Sequence, residues 1–181
     1  MKTIIGISGS LRKGSFNTAL LRAAGKCAPE GIEIIIKSIE GIPLYNGDVE
    51  ERDGIPAPVQ ELKDAIAAAQ GLLIVTPEYN NSIPGVIKNA IDWLSRPPED
   101  VKRVFHGKPV AVIGATTGSF GTILAQSACL PVLRTLRTRP WLEGRLLVSR
   151  ARKVFGEDGE IMDEDVRDKL RAFIEGFSAA L

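Results

Sequence analysis

The feature that most constrains the fold is the stretch of residues 4–20, where a short apolar run leads through a loop of small and hydroxyl residues into an apolar-periodic segment. This pattern predicts a buried strand, a loop and the start of a helix. Backbone N–H groups and the positive end of the helix dipole converge at such a junction, which favours the binding of an anion such as phosphate. The loop also carries two adjacent cations, Arg12 and Lys13, and side-chain donors at Ser10, Ser15, Asn17 and Thr18.

The loop departs from two common phosphate-binding patterns. Its glycines, Gly6, Gly9 and Gly14, do not have the G-x-G-x-x-G spacing of a dinucleotide loop. The gap from Gly9 to Gly14 fits a Walker loop, but Ser15 stands where that loop needs its lysine, which argues against hydrolysis of a nucleoside triphosphate. A terminal monophosphate suits the remaining set of donors. The alternative is an ordinary helix cap in which Ser15 bonds the first turn and the neighbouring cations are solvated.

Composition excludes several classes of protein. The length of 181 residues predicts a single domain, residues 1–181. Lys and Arg total 23 and Asp and Glu total 22, so the net charge of +1 predicts no nucleic-acid partner, and no apolar run approaches the roughly 20 residues of a membrane span. The only cysteines, Cys27 and Cys129, lack metal-ligand spacing and predict a reducing, cytoplasmic location. The one histidine, His106, which we place in a polar loop of residues 104–108, argues against a zinc site.

The rest of the chain alternates between strand and helix patterns. Strands are predicted at residues 2–8, 32–36, 72–75, 109–113 and 145–148, and helices at 17–28, 59–70, 84–94, 121–137 and 163–177. Residues 39–58 are interpreted as irregular, and Pro131 is expected to kink or interrupt its helix. The alternation predicts an α/β fold with a five-stranded parallel sheet of order 2-1-3-4-5 and helices on both faces. Ligands of such sheets bind at the carboxyl ends of the strands, beside strand one.

A second chemistry-bearing loop, residues 76–85, follows the third strand. Pro77 and Pro84 stiffen it, Tyr79 offers a planar face, and the residues between them mix donors and acceptors. This set suits a flat heterocycle, and fixed backbone N–H groups there would stabilise charge on a ring that accepts hydride. The alternative is a turn bounded by prolines with a tyrosine at the surface.

Two motifs together resemble the NADPH-dependent FMN reductase family, which has a flavodoxin-like, three-layer sandwich fold. Residues 9–17 resemble its phosphate loop, and residues 77–80 with 82, 84–85 and 88–94 resemble its second motif. The resemblance extends over essentially the whole chain and is greatest to the chromate and quinone reductase branch. One departure is Leu124, which stands where the family commonly has an arginine.

The resemblance implies the following site. No side chain acts as a catalytic nucleophile, and Tyr79 and Asn80 support hydride transfer at the flavin. Glu78 is interpreted as a ring-edge or interface residue held by its backbone. The FMN phosphate would contact Ser10, Arg12, Ser15, Asn17 and Thr18, and the ring and ribityl chain would contact Pro77, Glu78, Tyr79, Asn80 and Ser82. A third loop, residues 115–121 after the fourth strand, would close the far side of the ring through Thr116, Thr117 and Gly118.

The resemblance also implies an activity. NADPH or NADH would pass hydride to FMN, and a small-molecule acceptor such as a quinone, chromate, an azo compound or a ferric chelate would then occupy the same open site. Family members are dimers or tetramers, which predicts a homodimer or homotetramer. One alternative is a flavodoxin-like electron carrier without NAD(P)H activity, although such carriers tend to be strongly acidic and this chain is not. Another is a small doubly wound fold that binds a different nucleotide or serves as a regulatory module.

Overall fold

The central element of the computed structural model, which describes residues 1–181, is a parallel sheet covered by helices on both faces. Its strands are β1 Lys2–Ser8, β2 Ile32–Lys37, β3 Gly71–Val75, β4 Pro109–Ala115, β5 Arg139–Pro140 and β6 Leu147–Val148. Its helices are α1 Phe16–Lys26, α2 Gly47–Asp53, α3 Ala57–Ala68, α4 Gly85–Leu94, α5 Asp100–Phe105, α6 Ile123–Thr135, α7 Ala151–Val154 and α8 Glu164–Ala179.

The strand order is β2-β1-β3-β4-β5, which confirms the predicted topology. The strand predicted at residues 145–148 is present as β6, but the last strand of the sheet is divided, since β5 pairs with the start of β4 and β6 pairs with its end. Between the two pieces the chain leaves the sheet and packs the Trp141 ring edge-on against Phe173, with ring centroids 4.8 Å apart. This half-buried indole lies where a continuous strand would otherwise run.

Separate apolar cores lie on the two faces of the sheet. One core joins the sheet to α1 and α8 through side chains such as Leu20 and Phe177, and the other joins it to α3, α4 and α6 through Ile66, Trp93 and Leu133. Each large apolar side chain that is fully buried contributes roughly 1.5–3 kcal/mol relative to an exposed one. Strand β3 is buried along its whole length, as its continuous apolar run predicts for a central parallel strand.

Two short helices were not predicted. Helix α2 lies inside the segment interpreted as irregular, where the side chain of Asn46 caps its first turn and Glu50 forms an ion pair of 2.8 Å with Arg96. Helix α5 includes Val104 and Phe105, which are buried rather than part of a polar loop. Tertiary contacts, which no local pattern reveals, stabilise both helices.

Helix α6 continues through Pro131, so the expected interruption is wrong, while the expected kink stays a prediction. Proline removes the N–H that would bond to the carbonyl of Ser127. Both residues are exposed, and water can therefore satisfy the free carbonyl. The other predicted helices are confirmed within a few residues of their ends, and α4 begins at Gly85 with Pro84 as its cap rather than in its first turn. No helix of this chain has both the length and the apolar character that crossing a bilayer requires.

Candidate functional site

The carboxyl ends of β1, β3 and β4 open into one cleft of about 370 Å³. This volume lies within the range of sites for small ligands and cofactors. Most of the predicted site residues line the cleft: Ser10, Arg12, Ser15, Asn17, Pro77, Glu78, Tyr79, Thr116 and Thr117. Four predicted residues do not line it: Thr18, Asn80, Ser82 and Gly118.

The phosphate loop combines a helix cap with free donors. The Oγ atom of Ser15 accepts hydrogen bonds from the backbone N–H groups of Asn17, at 3.2 Å, and Thr18, at 3.4 Å. A hydroxyl has one hydrogen and two acceptor positions, so Ser15 can cap the helix and still donate to an anion. The backbone N–H groups of Lys13 and Gly14 have no partner within the chain. The cap and the anion site are therefore compatible at this junction.

The phosphate loop lies directly against the loop after β3. The Gly9 N–H donates to the Val75 carbonyl at 2.8 Å. A Cβ atom added to Gly9 would lie 2.9 Å from Oγ1 of Thr76, which leaves no room for a side chain. Glycine is therefore required at position 9 by this close approach rather than by an unusual backbone angle.

The guanidinium of Arg12 is directed by contacts within its own loop. It donates to the Gly14 carbonyl at 2.6 Å and lies 6.0 Å from the centre of the Phe16 ring. The distance is within the range of a cation–π interaction. These two contacts hold an exposed positive charge beside the start of α1, where the helix dipole also favours an anion.

Asn17 connects two elements of the cleft. Its Nδ2 donates to the carbonyl of Ala115 and its Oδ1 accepts from the N–H of the same residue, both at 2.8 Å. The side chain is buried and joins the start of α1 to the end of β4. The structure thus gives Asn17 a positioning role, while its phosphate contact stays a prediction. The Thr18 hydroxyl donates to the Oγ atom of Ser8, at 2.9 Å, beneath the cleft.

A tight turn presents Tyr79 at the cleft. Tyr79 and Ser82 exchange two backbone hydrogen bonds of 3.0 Å, and between them Asn80 and Asn81 have φ values of 50° and 62°. Positive φ at both central residues is the geometry of a type I′ turn, which asparagine tolerates better than most residues. Asn80 and Ser82 therefore support Tyr79 instead of lining the cleft, and the adjacent pair of asparagines is the sequence signal of this turn.

Glu78 links the cleft to α6. Its Oε2 accepts the backbone N–H groups of Leu124, at 2.8 Å, and Ala125, at 3.1 Å. The carboxylate thereby caps a helix N-terminus, where a negative charge is favourable. The interpretation that Glu78 is held by its backbone alone is wrong, because its side chain makes these bonds. Leu124 contributes its N–H to this cap, and its side chain is 45% exposed.

The third loop is held by β6 and by the chain that follows it. Three backbone hydrogen bonds of 2.8–2.9 Å make this contact. The Thr116 N–H donates to the Val148 carbonyl, and the carbonyls of Thr116 and Gly118 accept from the N–H groups of Ala151 and Arg150, respectively. Thr116 and Thr117 therefore line the cleft while Gly118 anchors the loop from outside.

One lining residue that the sequence analysis missed is Arg152 of α7. Helix α7 follows the carboxyl end of the last strand, and ligands of parallel sheets bind at that edge. The order of elements along the chain was therefore the signal that could have placed Arg152 at the cleft.

The donors of this cleft fit a flavin mononucleotide. The lining of the cleft includes Arg12 and Arg152 with Ser10 and Ser15, and the phosphate loop has free backbone N–H groups; together these donors suit a dianionic phosphate. At the loop after β3, the exposed phenol ring of Tyr79 suits a flat ring system. The one carboxylate in the cleft, Glu78, is occupied in capping α6 and so repels an anion less.

Comparison with known proteins agrees with this geometry. The family model for NADPH-dependent FMN reductase matches residues 2–153. An NAD(P)H-dependent FMN reductase of Pseudomonas aeruginosa is 44% identical over 168 residues, which cover 93% of this chain and 89% of that protein. A quinone reductase of Escherichia coli is 38% identical over 179 residues, which cover 96% of this chain and 92% of that protein.

A solved structure is similar over nearly the whole chain. FerB, a flavoenzyme NAD(P)H:(acceptor) oxidoreductase from Paracoccus denitrificans, superimposes with a TM-score of 0.86 at 36% identity, covering 98% of this chain and 95% of that one. The fold, the composition of the cleft and these relatives lead to the same conclusion: this chain belongs to the NADPH-dependent FMN reductase family.

Proposed function

We propose that this protein binds FMN in the cleft and reduces quinones with electrons taken from NAD(P)H. The observation that carries the proposal is the meeting of two features in one cleft: the donor-rich phosphate loop at Ser10–Ser15 and the exposed ring of Tyr79. FMN, when bound, supplies the hydride-accepting ring that no side chain of this chain can provide. The family identity and the names of the relatives support the same oxidoreductase activity.

The residues of the cleft bind and orient rather than react. Ser15 and the free N–H groups of its loop hold an anion, and Arg12 neutralises part of its charge. Thr116 and Thr117 form the wall contributed by the third loop, and Tyr79 lies half exposed at the loop after β3. The cleft is open to solvent on this side, so NAD(P)H and the acceptor can occupy the same place in turn.

A quinone suits the surroundings of the cleft better than an oxyanion. The Glu78 carboxylate of the cleft accepts the backbone N–H of Leu124. Position 124 is commonly an arginine in the branch, so the half-exposed Leu124 side chain adds apolar surface there instead of a positive charge. Phe120, 81% exposed, lies in the third loop and adds more apolar surface. We propose that quinones are the preferred acceptors and that chromate, azo compounds and ferric chelates are reduced more slowly.

The test begins with the visible spectrum of the purified protein and continues with anaerobic addition of NADPH or NADH. We expect a yellow protein that bleaches with at least one nucleotide and recovers its colour when a benzoquinone is added. A yellow protein that bleaches with neither nucleotide would instead indicate an electron carrier. A colourless protein whose stability does not rise with added FMN would indicate a different ligand.

A matched variant tests the acceptor. Leu124→Arg restores the charge of the branch without touching the backbone N–H that Glu78 accepts. We expect kcat/KM for chromate to rise in this variant while the affinity for FMN stays unchanged, because the substitution adds a cation to the residue whose N–H bonds to Glu78 of the cleft. An unchanged kcat/KM for chromate would show that position 124 does not select the acceptor.

We also propose a homodimer or homotetramer that works in the reducing cytoplasm. The apolar side chains of Leu130 and Leu142, 40% and 71% exposed, border a groove between α6 and the Trp141 segment that a second copy would cover. Both cysteines are free thiols, as a reducing compartment would keep them. Light scattering coupled to gel filtration would test the assembly, and a monomeric mass at micromolar concentration would argue against it.

A further inference from the structure

We infer that Arg152 binds the phosphate group of FMN as a second guanidinium beside Arg12. Neither of the two sequence motifs includes this residue. The inference rests on the proposed function, because it assumes that FMN occupies the cleft. It concerns a residue contributed by α7, far along the chain from the phosphate loop.

The position of Arg152 indicates which end of the cofactor it meets. Arg152 lines the cofactor cleft and also a neighbouring cleft formed by residues 13–16, the first helix and residues 155–159. Besides Arg152, the two clefts share only Ser15 and Phe16, which begin α1. No residue of the loops after β3 and β4 lines the neighbouring cleft. Arg152 therefore lies at the phosphate-loop end of the cofactor cleft and away from Tyr79.

The guanidinium of Arg152 has no partner within the chain. It forms no ion pair and donates no hydrogen bond, whereas Arg12 already gives one N–H to the Gly14 carbonyl. Glu157 and Asp158 line the neighbouring cleft, but neither forms an ion pair with Arg152. A free arginine beside a phosphate loop retains its full fork of donors for an anion.

The positive charges of Arg12 and Arg152 also match the negative charge of a phosphate group. A phosphate monoester carries close to two negative charges at neutral pH. Arg12 supplies one positive charge at this end of the cleft and Arg152 supplies the second. Charge-assisted bonds from two guanidinium groups hold a phosphate more tightly and with more defined geometry than one.

Helix α7 holds Arg152 in place through both walls of the cleft. The Arg150 N–H donates to Gly118 and the Ala151 N–H donates to Thr116, which tie the helix to the third loop. On the other side, the ring of Phe155 packs on Phe16 with centroids 5.5 Å apart. Backbone contacts fix the start of the side chain, so only its outer torsions remain to be ordered when phosphate binds.

The test compares Arg152→Gln with Lys153→Gln in the full-length protein. Both variants remove one exposed positive charge from α7, but Lys153 lines a different cleft. The Kd values for FMN and for riboflavin, which lacks the phosphate, are measured by quenching of flavin fluorescence. We expect Arg152→Gln to raise the Kd for FMN about 10- to 100-fold, the value of a charge-assisted hydrogen bond. We expect it to leave the Kd for riboflavin unchanged.

The controls separate a phosphate contact from other effects. Lys153→Gln is expected to change the Kd for FMN less than about two-fold, as for an exposed charge without a close partner. In the wild type the Kd for FMN should rise with salt more steeply than in Arg152→Gln. Should Arg152→Gln fold poorly by thermal unfolding, Arg152→Lys keeps the positive charge and is expected to lose less affinity.

Three results would overturn the inference. An equal loss of FMN and riboflavin affinity would mean that Arg152 shapes the cleft instead of contacting phosphate. A Kd for FMN within two-fold of wild type in Arg152→Gln would mean that it makes no contact. Wild-type protein that binds neither flavin would overturn the proposed function as well, and that outcome is distinct because it appears before any variant is made.

Discussion

The substitution Asn17→Ala distinguishes a positioning role from a direct contact with phosphate. It deletes both 2.8 Å hydrogen bonds to Ala115 and leaves a buried N–H and a buried carbonyl without partners. Each neutral hydrogen bond is worth about 1 kcal/mol, and each buried group left unpaired costs about 1–3 kcal/mol. Because water can enter part of the space that is left, we expect the free energy of unfolding to fall by about 2–4 kcal/mol.

The assay is urea unfolding of the flavin-free protein, followed by circular dichroism, with the Kd for FMN measured in parallel. Ser10→Ala is the control, because Ser10 lines the same cleft while its Oγ only accepts one weak bond of 3.4 Å from Arg12. We expect Ser10→Ala to leave the flavin-free stability within about 0.5 kcal/mol of wild type. A loss of FMN affinity in Asn17→Ala without any loss of flavin-free stability would refute the positioning role.

Two further predictions concern the scaffold. Gly114→Ala is expected to destabilise the protein by more than about 3 kcal/mol, because the new Cβ would lie 2.0 Å from the Thr76 carbonyl oxygen. Gly118→Ala is the control, since a Cβ atom has room there and should be tolerated, and thermal unfolding of the two variants tests the difference. Hydrogen bonds from buried Lys63 and, to a smaller extent, from Arg103 lower the pKa of Asp100 below its ordinary value of 3.8. The ionised carboxylate therefore stabilises the folded protein above pH 3.8, and this stabilisation is lost as the pH falls through the lowered pKa. Urea unfolding between about pH 5 and about pH 3 should show this loss in the wild type and a smaller one in Lys63→Met, and equal pH profiles would contradict the assignment.

The main features of the fold could be predicted because they depend on local patterns. Continuous apolar runs identified β1, β3 and β4, and their alternation with helices implied the parallel order. The divided last strand could not be predicted, since β5 and β6 have two residues each and are defined only by their pairing with β4. Helix α2 was missed for a similar reason: a distant ion pair from Arg96 helps to stabilise it.

The sequence predicted which loops form the site, but it could not predict the hydrogen bonds that hold these loops together. The spacing of Ser10, Arg12 and Ser15 placed a phosphate loop where the structure has a cleft. The bond between Asn17 and Ala115 spans 98 residues, and the capping of α6 by Glu78 spans 46, so no pattern along the chain could reveal them. Each of these side chains resembles a ligand contact in the sequence, and each is engaged with backbone in the structure.

The contact of Thr116 with Ala151 and Val148 has a consequence for how the protein is made. The phosphate loop leaves the ribosome first, but the wall formed by the third loop is pinned only after residues 148–151 have been synthesised. A nascent chain that ends near residue 130 would have the phosphate loop but would lack both that support and Arg152. We therefore expect flavin capture to be a late, post-assembly event, and flavin retention to report that the complete chain has folded.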